Sequence, residues 1–416
     1  MDVSKSAVPA EIAQLDSADP LATFRDEFYL PDNLIYLDGN SLGALPKAAV
    51  ARLAAVVKKE WGEDLIRSWN KNDWIGLPRR VGGKIARLIG AQEHEVIATD
   101  STSVNLFKLI AAAARLRPGR PYVVTEIGNF ATDVYMIEGL SELLGRERLQ
   151  LRACESSQLE SAIRGDVALV LLTHVHYKTA RLHDMARITA LAHERGALAL
   201  WDLSHSAGAM DVNLRAAEAD FGVGCGYKYL NGGPGSPAFL FVAERHQRET
   251  SSPLWGWMGH AEPFAFEDHY RPADGIRRFL SGTPGILGLS ALDASLEVLL
   301  RADMSVITQK GRRLGDLFIQ LVEDRCAAFG LELASPRDSR SRGCHVAFRH
   351  PEGYPIMQAL IASGVIGDFR TDLLRFGFAP LYVRYADAWR AVMILEEILR
   401  SGSWKYPRFQ ERAFVT

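Results

Sequence analysis

An aspartate and a lysine, each placed after a short apolar segment, carry the strongest chemical signal in the sequence. Asp202 directly follows the apolar segment Ala197–Trp201. Lys228 lies 26 residues further on, after the apolar segment Phe221–Cys225 and before a glycine-rich loop. In open parallel sheets, ligands bind beyond the carboxyl ends of the strands. Since 26 residues leave room for a helix and one further strand, we predict that both side chains lie at neighbouring strand ends and face one cleft.

Each residue alone has a plainer interpretation, Asp202 as a helix cap or turn residue and Lys228 as an exposed residue at a strand end. As a pair they suit pyridoxal 5′-phosphate (PLP), which needs a lysine amine for a Schiff base and a carboxylate that keeps its ring nitrogen protonated. The cofactor phosphate needs hydrogen-bond donors, ideally at a helix start. The segment Asp100–Asn105 offers hydroxyls and free N–H groups at such a start. Alone it is a weak signal, because Ser and Thr cap many helices.

The hydrophobic pattern predicts the elements that position these residues. Strand-like and helix-like segments alternate through the middle of the chain, and Val167–Thr173 is apolar throughout, as is typical of a buried parallel strand. The alternation predicts an α/β fold with a mostly parallel sheet flanked by helices. After the glycine-rich residues 282–288, the pattern predicts a smaller C-terminal α/β domain. The predicted limits are an N-terminal arm 1–35, a large cofactor-binding domain 36–288 and a small domain 289–416.

Composition argues against several other classes of protein. The 416 residues include 48 basic and 50 acidic side chains, a formal net charge of −2, which favours neither nucleic acid nor an anionic membrane as a partner. No apolar run approaches the roughly 18 residues of a membrane span, and the N-terminus lacks the pattern of a signal peptide. The four cysteines are scattered without CxxC spacing, which predicts no metal site, no disulfide framework and a reducing cytoplasm.

A more specific pattern comes from eight segments spread over nearly the whole chain. They are Tyr36-Leu-Asp-Gly-Asn-Ser-Leu-Gly43, Leu65-Ile-Arg-Ser-Trp-Asn70, Asn129-Phe-Ala-Thr-Asp133, Thr173-His-Val-His-Tyr-Lys-Thr179, Trp201-Asp-Leu-Ser-His-Ser-Ala-Gly208, Tyr227-Lys-Tyr-Leu-Asn-Gly-Gly-Pro-Gly235, Trp255-Gly-Trp-Met-Gly-His260 and Arg375-Phe-Gly-Phe-Ala-Pro-Leu-Tyr382. In these segments the chain resembles the kynureninase family of fold-type-I PLP enzymes. Two departures are Ala131, where the family often has Pro, and Ser204, where it often has Ala; neither removes a catalytic group.

The resemblance implies a cofactor role for each matched residue. Lys228 would form the Schiff base, Asp202 would pair with the pyridinium nitrogen, and Asp133 would support the same edge of the ring. The other implied contacts are Phe130 on the ring face, Thr102, Ser103 and Tyr227 at the phosphate, His205 on the turn after Asp202, and Thr173 at the cofactor edge. Trp257 and Thr283 would reach the phosphate from a partner subunit, which implies a homodimer with a shared active site. Phe130 as a core aromatic and His205 as a structural histidine are the plainer alternatives.

The resemblance also implies a substrate and a reaction. Arg375 would bind the substrate carboxylate, because a planar guanidinium donates two parallel hydrogen bonds to a carboxylate. Trp69 and Asn70 would line the substrate pocket, although Trp69 also fits a core position. The implied activity is hydrolysis of L-kynurenine to anthranilate and L-alanine, and of 3-hydroxykynurenine to 3-hydroxyanthranilate, in the kynurenine route of tryptophan degradation that leads to NAD biosynthesis. Tyr227 would protonate the β-carbon.

Two other functions stay open at this point. A cysteine desulfurase or selenocysteine lyase on the same scaffold would need a nucleophilic cysteine on a flexible loop. Cys344 is the nearest candidate, but it begins the apolar run Cys344–Phe348 and is better interpreted as a buried thiol. A non-catalytic regulator or binding module with this fold would not need the complete set of lysine, aspartate and arginine, and no DNA-binding domain is evident in the sequence.

Overall fold

A computed structural model describes residues 7–412 as an α/β protein built around two sheets. In chain order the strands are β1 (Phe28–Tyr29), β2 (Ile35–Tyr36), β3 (Leu45–Pro46), β4 (Val96–Ala98), β5 (Tyr122–Glu126), β6 (Gln150–Cys154), β7 (Val167–Thr173), β8 (Leu198–Asp202), β9 (Phe221–Gly224), β10 (Phe239–Val242), β11 (Glu332–Leu333), β12 (His345–Arg349), β13 (Val365–Ile366), β14 (Asp368–Arg370) and β15 (Leu373–Gly377).

The helices flank these sheets and connect their strands. They are α1 (Ala10–Ser17), α2 (Lys47–Ala55), α3 (Ser68–Lys71), α4 (Leu77–Leu88), α5 (Thr102–Leu116), α6 (Ala131–Leu144), α7 (Leu159–Ala162), α8 (Met185–Glu194), α9 (Glu244–Gln247), α10 (Ile286–Leu299), α11 (Met304–Cys326), α12 (Gly353–Ala362) and α13 (Tyr385–Ser401). A π-helix, Val56–Asp64, continues α2. No helix within residues 7–412 combines the length and the apolar composition needed to cross a membrane.

The large sheet has seven strands in the order β4-β10-β9-β8-β7-β5-β6. Only β10 runs against its neighbours β4 and β9, so the predicted mostly parallel sheet is confirmed. All seven residues of β7 are buried. Leu169 and Leu171 belong to the apolar core on one face of the sheet, and Val170 and Leu172 belong to the core on the other. Because alternate side chains of a strand point to opposite faces, a continuous apolar sequence is what a sheet covered on both faces requires.

The register of β7, β8 and β9 positions the chemistry. Thr173 and Asp202 are paired neighbours at the carboxyl ends of β7 and β8. β9 lies beside β8 and ends at Gly224, so Lys228 follows at the same edge of the sheet. The structure therefore confirms the prediction that Asp202 and Lys228 lie at adjacent strand ends.

The smaller sheet has the order β11-β12-β15-β14, and all its pairs are antiparallel. Phe318 of α11 packs on Phe376 of β15 with ring centroids 4.8 Å apart, so helix α11 covers one face of this sheet. The other face carries polar residues toward the large sheet. Helix α10 runs across the predicted limit at residue 288 and reaches the large domain through Lys84, whose Nζ lies 2.7 Å from an oxygen of Asp293. The domain limits as a whole stay a prediction, with 1–6 and 413–416 outside the described residues.

The N-terminal segment packs on the C-terminal part of the chain. β2 pairs in parallel with β13, and Asp38 continues this contact to Gly377. The carboxylate of Asp16 accepts hydrogen bonds from the backbone N–H groups of Tyr385 (2.7 Å) and Ala386 (3.0 Å), at the start of α13. A carboxylate at that end stabilises a helix by satisfying free N–H groups and by its charge.

Candidate active site

A cavity of about 470 Å³ opens at the carboxyl edge of the large sheet. Eight of the residues predicted to contact the cofactor line it: Thr102, Ser103, Phe130, Thr173, Asp202, His205, Tyr227 and Lys228. They come from five different parts of the chain, namely the start of α5, the turn before α6, the end of β7, the end of β8 and the loop after β9. The fold therefore brings together most of the predicted cofactor residues in one place.

Lys228 presents its amine to this cavity. Its Nζ lies 3.0 Å from Nε2 of His205 and 5.8 Å from the centre of the Phe130 ring. The segment Tyr36–Gly43 supports the lysine from behind, because the N–H of Gly43 donates to the carbonyl of Tyr227 at 2.8 Å. A Cβ atom on Gly43 would lie 2.3 Å from the Lys228 carbonyl oxygen. That close approach explains why a glycine ends this segment.

Two buried carboxylates face the same region. Asp202 accepts a hydrogen bond from the N–H of Ser204 at 2.7 Å, and Asp133 accepts one from the side chain of Asn129 at 3.3 Å. Burial raises the pKa of Asp202, and burial together with the charge of Asp202 raises the pKa of Asp133 well above its usual range. A pair of buried carboxylates is stabilised by a cationic partner, and a protonated ring nitrogen is such a partner.

The start of helix α5 provides the opposite end of the cavity. Ser101 caps the helix by accepting a hydrogen bond from the N–H of Val104 at 3.4 Å, while Thr102 and Ser103 line the cavity. The first N–H groups of a helix have no partner within it and favour an anion such as a phosphate. Tyr227 also lines the cavity, and its burial raises the pKa of its phenol, so the hydroxyl stays protonated at neutral pH.

The residues present fit PLP. Oδ1 of Asp133 and Oγ1 of Thr173 are buried without a hydrogen-bond partner in the described part of the chain. Buried polar atoms are rarely left without partners, and the cavity that Thr173 lines also contains the Lys228 amine, the Asp202 carboxylate and the start of α5, which match the aldehyde, ring nitrogen and phosphate of this cofactor. The polar groups of the cavity therefore suit both the ring and the phosphate of PLP.

Arg375 lies buried on the polar face of the small sheet. Nε of its guanidinium donates to one carboxylate oxygen of Asp368 at 2.7 Å, and Nη2 donates to the other. Nη1 donates to the backbone carbonyl of Tyr177. Tyr177 itself lines the cavity. The arginine thus joins the small domain to the cavity wall, and its role toward a substrate carboxylate stays a prediction.

Four predicted site residues lie elsewhere in the single chain. Trp257 borders a separate cavity of about 380 Å³ together with Trp255 and Phe266, and Thr283 is exposed. Trp69 packs edge-on against Trp74, and Asn70 is exposed. None of the four lines the cavity of Lys228. For Trp257 and Thr283 this placement agrees with the expectation that they act from a partner subunit, which stays a prediction; the role of Trp69 and Asn70 is likewise untested.

Several residues of the site gave no signal in the sequence. Thr132, Tyr177 and Ser236 line the cavity, and Asp368 holds Arg375. Small polar residues in loops are common, so their types alone do not mark a site. A signal for Asp368 was available, since Asp368 and Arg375 flank a short connection between two strands and face each other across them.

Comparisons with known proteins agree with this geometry. Residues 307–395 match the family model of the kynureninase C-terminal domain. A kynureninase from Pseudomonas fluorescens is 51% identical over 408 residues, which cover 97% of this chain and 98% of that protein. A kynureninase from Burkholderia mallei (strain SAVP1) is 50% identical over 412 residues, which cover 98% of this chain and 99% of that protein.

Solved structures show the fold. An apo cysteine desulfurase from Thermococcus onnurineus NA1 matches with a TM-score of 0.74 and 21% identity, covering 95% of this chain and 99% of that chain. The cysteine desulfurase CsdA from Escherichia coli matches with a TM-score of 0.76 and 20% identity, covering 92% and 98%. A C-DES variant with glycine covalently linked to its PLP cofactor matches with a TM-score of 0.76 and 16% identity, covering 90% and 98%. The chain therefore has the fold of these fold-type-I enzymes.

Proposed function

The chain belongs to the kynureninase family of PLP-dependent hydrolases, and we propose that it cleaves the Cβ–Cγ bond of L-kynurenine to give anthranilate and L-alanine. The observation that carries the proposal is the convergence of the Lys228 amine, the Asp202 carboxylate and the start of helix α5 on one cavity. We propose 3-hydroxykynurenine as a second substrate, a homodimer as the active form, the cytoplasm as its location, and tryptophan degradation toward NAD as its context.

The cofactor is pyridoxal 5′-phosphate, which supplies when bound an aldehyde for the substrate amine and a ring that withdraws electrons from the substrate carbons. Lys228 holds it by its amine and, once released, takes the proton from the substrate α-carbon. Asp202 would keep the ring nitrogen protonated by accepting its hydrogen bond, and Asp133 would support the same edge of the ring. Thr102, Ser103 and Tyr227 bind the phosphate.

The chain's other residues orient the substrate and move protons. Arg375 receives the substrate carboxylate. Water adds to the γ-carbonyl of the substrate and supplies the second carboxylate oxygen of anthranilate when the Cβ–Cγ bond breaks. Tyr227 donates its phenolic proton to the β-carbon; its raised pKa keeps that proton available at neutral pH. Phe130 covers one face of the cofactor ring and keeps water from it.

Cysteine desulfurase chemistry fits this chain poorly, although solved desulfurases share the fold. All four cysteines are buried. Burial raises the pKa of Cys344 to about 12, and its thiol donates to the carbonyl of Ala209 at 3.0 Å. A reactive cysteine needs an accessible thiolate, and Cys344 is neither accessible nor ionised at neutral pH.

Anthranilate fluorescence tests the proposal with PLP and L-kynurenine. We expect release of anthranilate by the wild type and by Lys405→Ala, which changes an exposed lysine, and no release by Lys228→Ala. The same assay with 3-hydroxykynurenine tests the second substrate. A wild type that shows the absorbance band of bound PLP but releases no anthranilate would refute kynurenine as the substrate, and cysteine would then be tested.

A further inference from the structure

His345 is a buried histidine that the reaction described above does not use. Its side chain is fully buried at the start of β12, and neither ring nitrogen has a hydrogen-bond partner in the described residues. Leaving a buried polar group unpaired costs about 1–3 kcal/mol. A leucine or phenylalanine would fill the same volume without that cost, so the imidazole calls for an explanation in terms of its surroundings.

The nearest ring to His345 is His205. The two ring centroids lie 5.4 Å apart with an angle of 49° between the ring planes. An N–H···N bond of about 2.9–3.0 Å between two imidazoles places their centroids at roughly 5 Å, so the rings stand slightly farther apart than such a bond requires. Rotation of the His345 ring toward His205 breaks no hydrogen bond, because the ring has none within residues 7–412.

His205 is the ring that contacts Lys228, through Nε2 at 3.0 Å. Its other nitrogen, Nδ1, is buried and has no partner in the described chain. Lys228 as an ammonium group is a donor only, so Nε2 of His205 must be the acceptor. A neutral imidazole that accepts at Nε2 carries its proton on Nδ1, and that N–H needs an acceptor of its own.

The small sheet aims His345 at this position. His345 pairs with Gly377 and Ala347 pairs with Arg375 across β12 and β15, so these side chains share the face that looks toward the large domain. The Asn40 side chain occupies the space above Gly377, where a Cβ atom would lie 1.8 Å from its Oδ1. Asn40 thus closes the region beside His345 on one side, and His205 borders it on the other.

The charges around both rings keep them neutral. Burial lowers the pKa of His345 well below its usual range, with Arg375, His176 and Lys228 acting in the same direction and Asp368 against it. Burial, Lys228 and His345 lower the pKa of His205. Two neutral imidazoles can form one N–H···N bond, whereas two imidazolium ions cannot.

We propose that His345 is a positioning residue that accepts the Nδ1 proton of His205 and so fixes His205 in the tautomer that accepts from Lys228. The inference rests on the proposed role of Lys228. The effect of His345 is confined to the states in which the lysine nitrogen donates a proton to Nε2 of His205 in a hydrogen bond. Without His345, His205 turns its N–H toward Lys228, and the protonated lysine loses its acceptor.

The test uses the holoenzyme and two readouts, namely the pH titration of the bound-cofactor absorbance band and the turnover of L-kynurenine. For His345→Leu we expect the midpoint of the titration to fall by about 0.5 to 1 pH unit, since the hydrogen bond stabilises the protonated form. We expect kcat to fall about tenfold with little change in KM. His345→Gln keeps an acceptor at the same place and is expected to restore most of both values. His345→Met serves if the leucine variant does not fold.

His174→Gln is the matched control, because His174 is also a buried imidazole with an unpartnered nitrogen but packs on Trp201 instead of His205. We expect it to leave the midpoint unchanged. An unchanged midpoint and an unchanged kcat in folded His345→Leu or His345→Met, beside an active wild type, would overturn the inference. A wild type that binds the cofactor but does not turn over L-kynurenine would count against the proposed function instead, since the absorbance titration still reports on His345.

Discussion

Arg375 and Asp368 face each other across two antiparallel strands, and the guanidinium donates to both oxygens of the carboxylate. The arginine is therefore oriented before any substrate binds. The backbone carbonyl of Tyr177, on the cavity wall, accepts a third hydrogen bond from it. A preoriented cation loses little conformational entropy when it binds a carboxylate.

Arg375→Lys is expected to lower kcat/KM for L-kynurenine by roughly 10- to 100-fold, mainly through KM. A lysine keeps the charge but loses the planar pair of donors, and hydrogen bonds to charged groups contribute about 1.5–3 kcal/mol. Steady-state kinetics measure the change. Arg349→Lys, at an exposed pair with Asp372 in the same sheet, should leave both constants as they are. Equal kinetics in the two variants would mean that Arg375 does not bind the substrate.

Asp202→Asn is expected to stabilise the apoenzyme and weaken cofactor binding. The folded pKa of Asp202 is raised by burial, so its ionisation reduces stability increasingly as the pH rises above about 4. At pH 8 the apo variant should melt at a higher temperature than the apo wild type, and PLP should raise the Tm of the variant less than that of the wild type. Calorimetry with and without PLP measures both, with the exposed Asp211→Asn as the control. An apo variant that melts lower would show that the carboxylate is stabilising without the cofactor.

Asp38 makes stability depend on pH near neutrality. Burial and the charge of Asp368 raise its pKa to about 7, against the opposing effects of Ser41, Arg375 and Arg370. Because this folded pKa lies above the unfolded value, stability falls as the pH rises from about 4 to about 7 and is constant above that range. For Asp38→Asn, Tm relative to wild type should therefore rise across that window.

Calorimetry at a series of pH values checks the Asp38 prediction. Asp372→Asn removes an exposed carboxylate of the small sheet and should show no such trend. A Tm difference between Asp38→Asn and wild type that stays constant from pH 4 to pH 8 would argue that Asp38 is ionised throughout.

A shared active site can be tested by mixing subunits. If Trp257 acts on the partner's cofactor, Lys228→Ala and Trp257→Ala homodimers are both impaired, but their heterodimer contains one intact site. Random exchange of subunits should then restore up to about a quarter of wild-type activity. Co-expression of the two variants and an anthranilate assay measure the recovery, and Asp202→Ala replaces Trp257→Ala as the control, because its heterodimer with Lys228→Ala contains no intact site. No recovery from a confirmed heterodimer would place Trp257 in its own subunit's site.

The sequence was sufficient to predict the central sheet and the cofactor end of the site. Strands such as Val167–Thr173 are buried on both faces, and burial leaves a continuous apolar pattern that is hard to misinterpret. Asp202 and Lys228 were predictable because each lies near the carboxyl end of a buried strand, Asp202 as the last residue of β8 and Lys228 in the loop after β9. The sequence pattern of Val365–Arg370 predicts one strand, but the structure forms two, β13 and β14, because Ile366 pairs with the N-terminal segment and Asp368 with β15.

Long-range contacts were not predictable. The segment Ala48–Trp61 has helical periodicity, but the structure changes from α-helix to π-helix at Val56. The pair His205–His345 joins residues whose contact depends on domain packing. A sequence pattern reports which residues are buried, but not which buried polar residues meet.

The anchoring of the N-terminal segment has a consequence for biosynthesis. β2 is completed only when β13 exists, and Asp16 finds its partners only when Tyr385 and Ala386 have been made. These contacts join residues more than 300 positions apart, so the N-terminal segment cannot dock until more than 300 further residues have left the ribosome. Such contacts slow folding and leave the early segment exposed to aggregation or proteolysis meanwhile. Premature termination before residue 365 would therefore leave both ends of the fold unfinished.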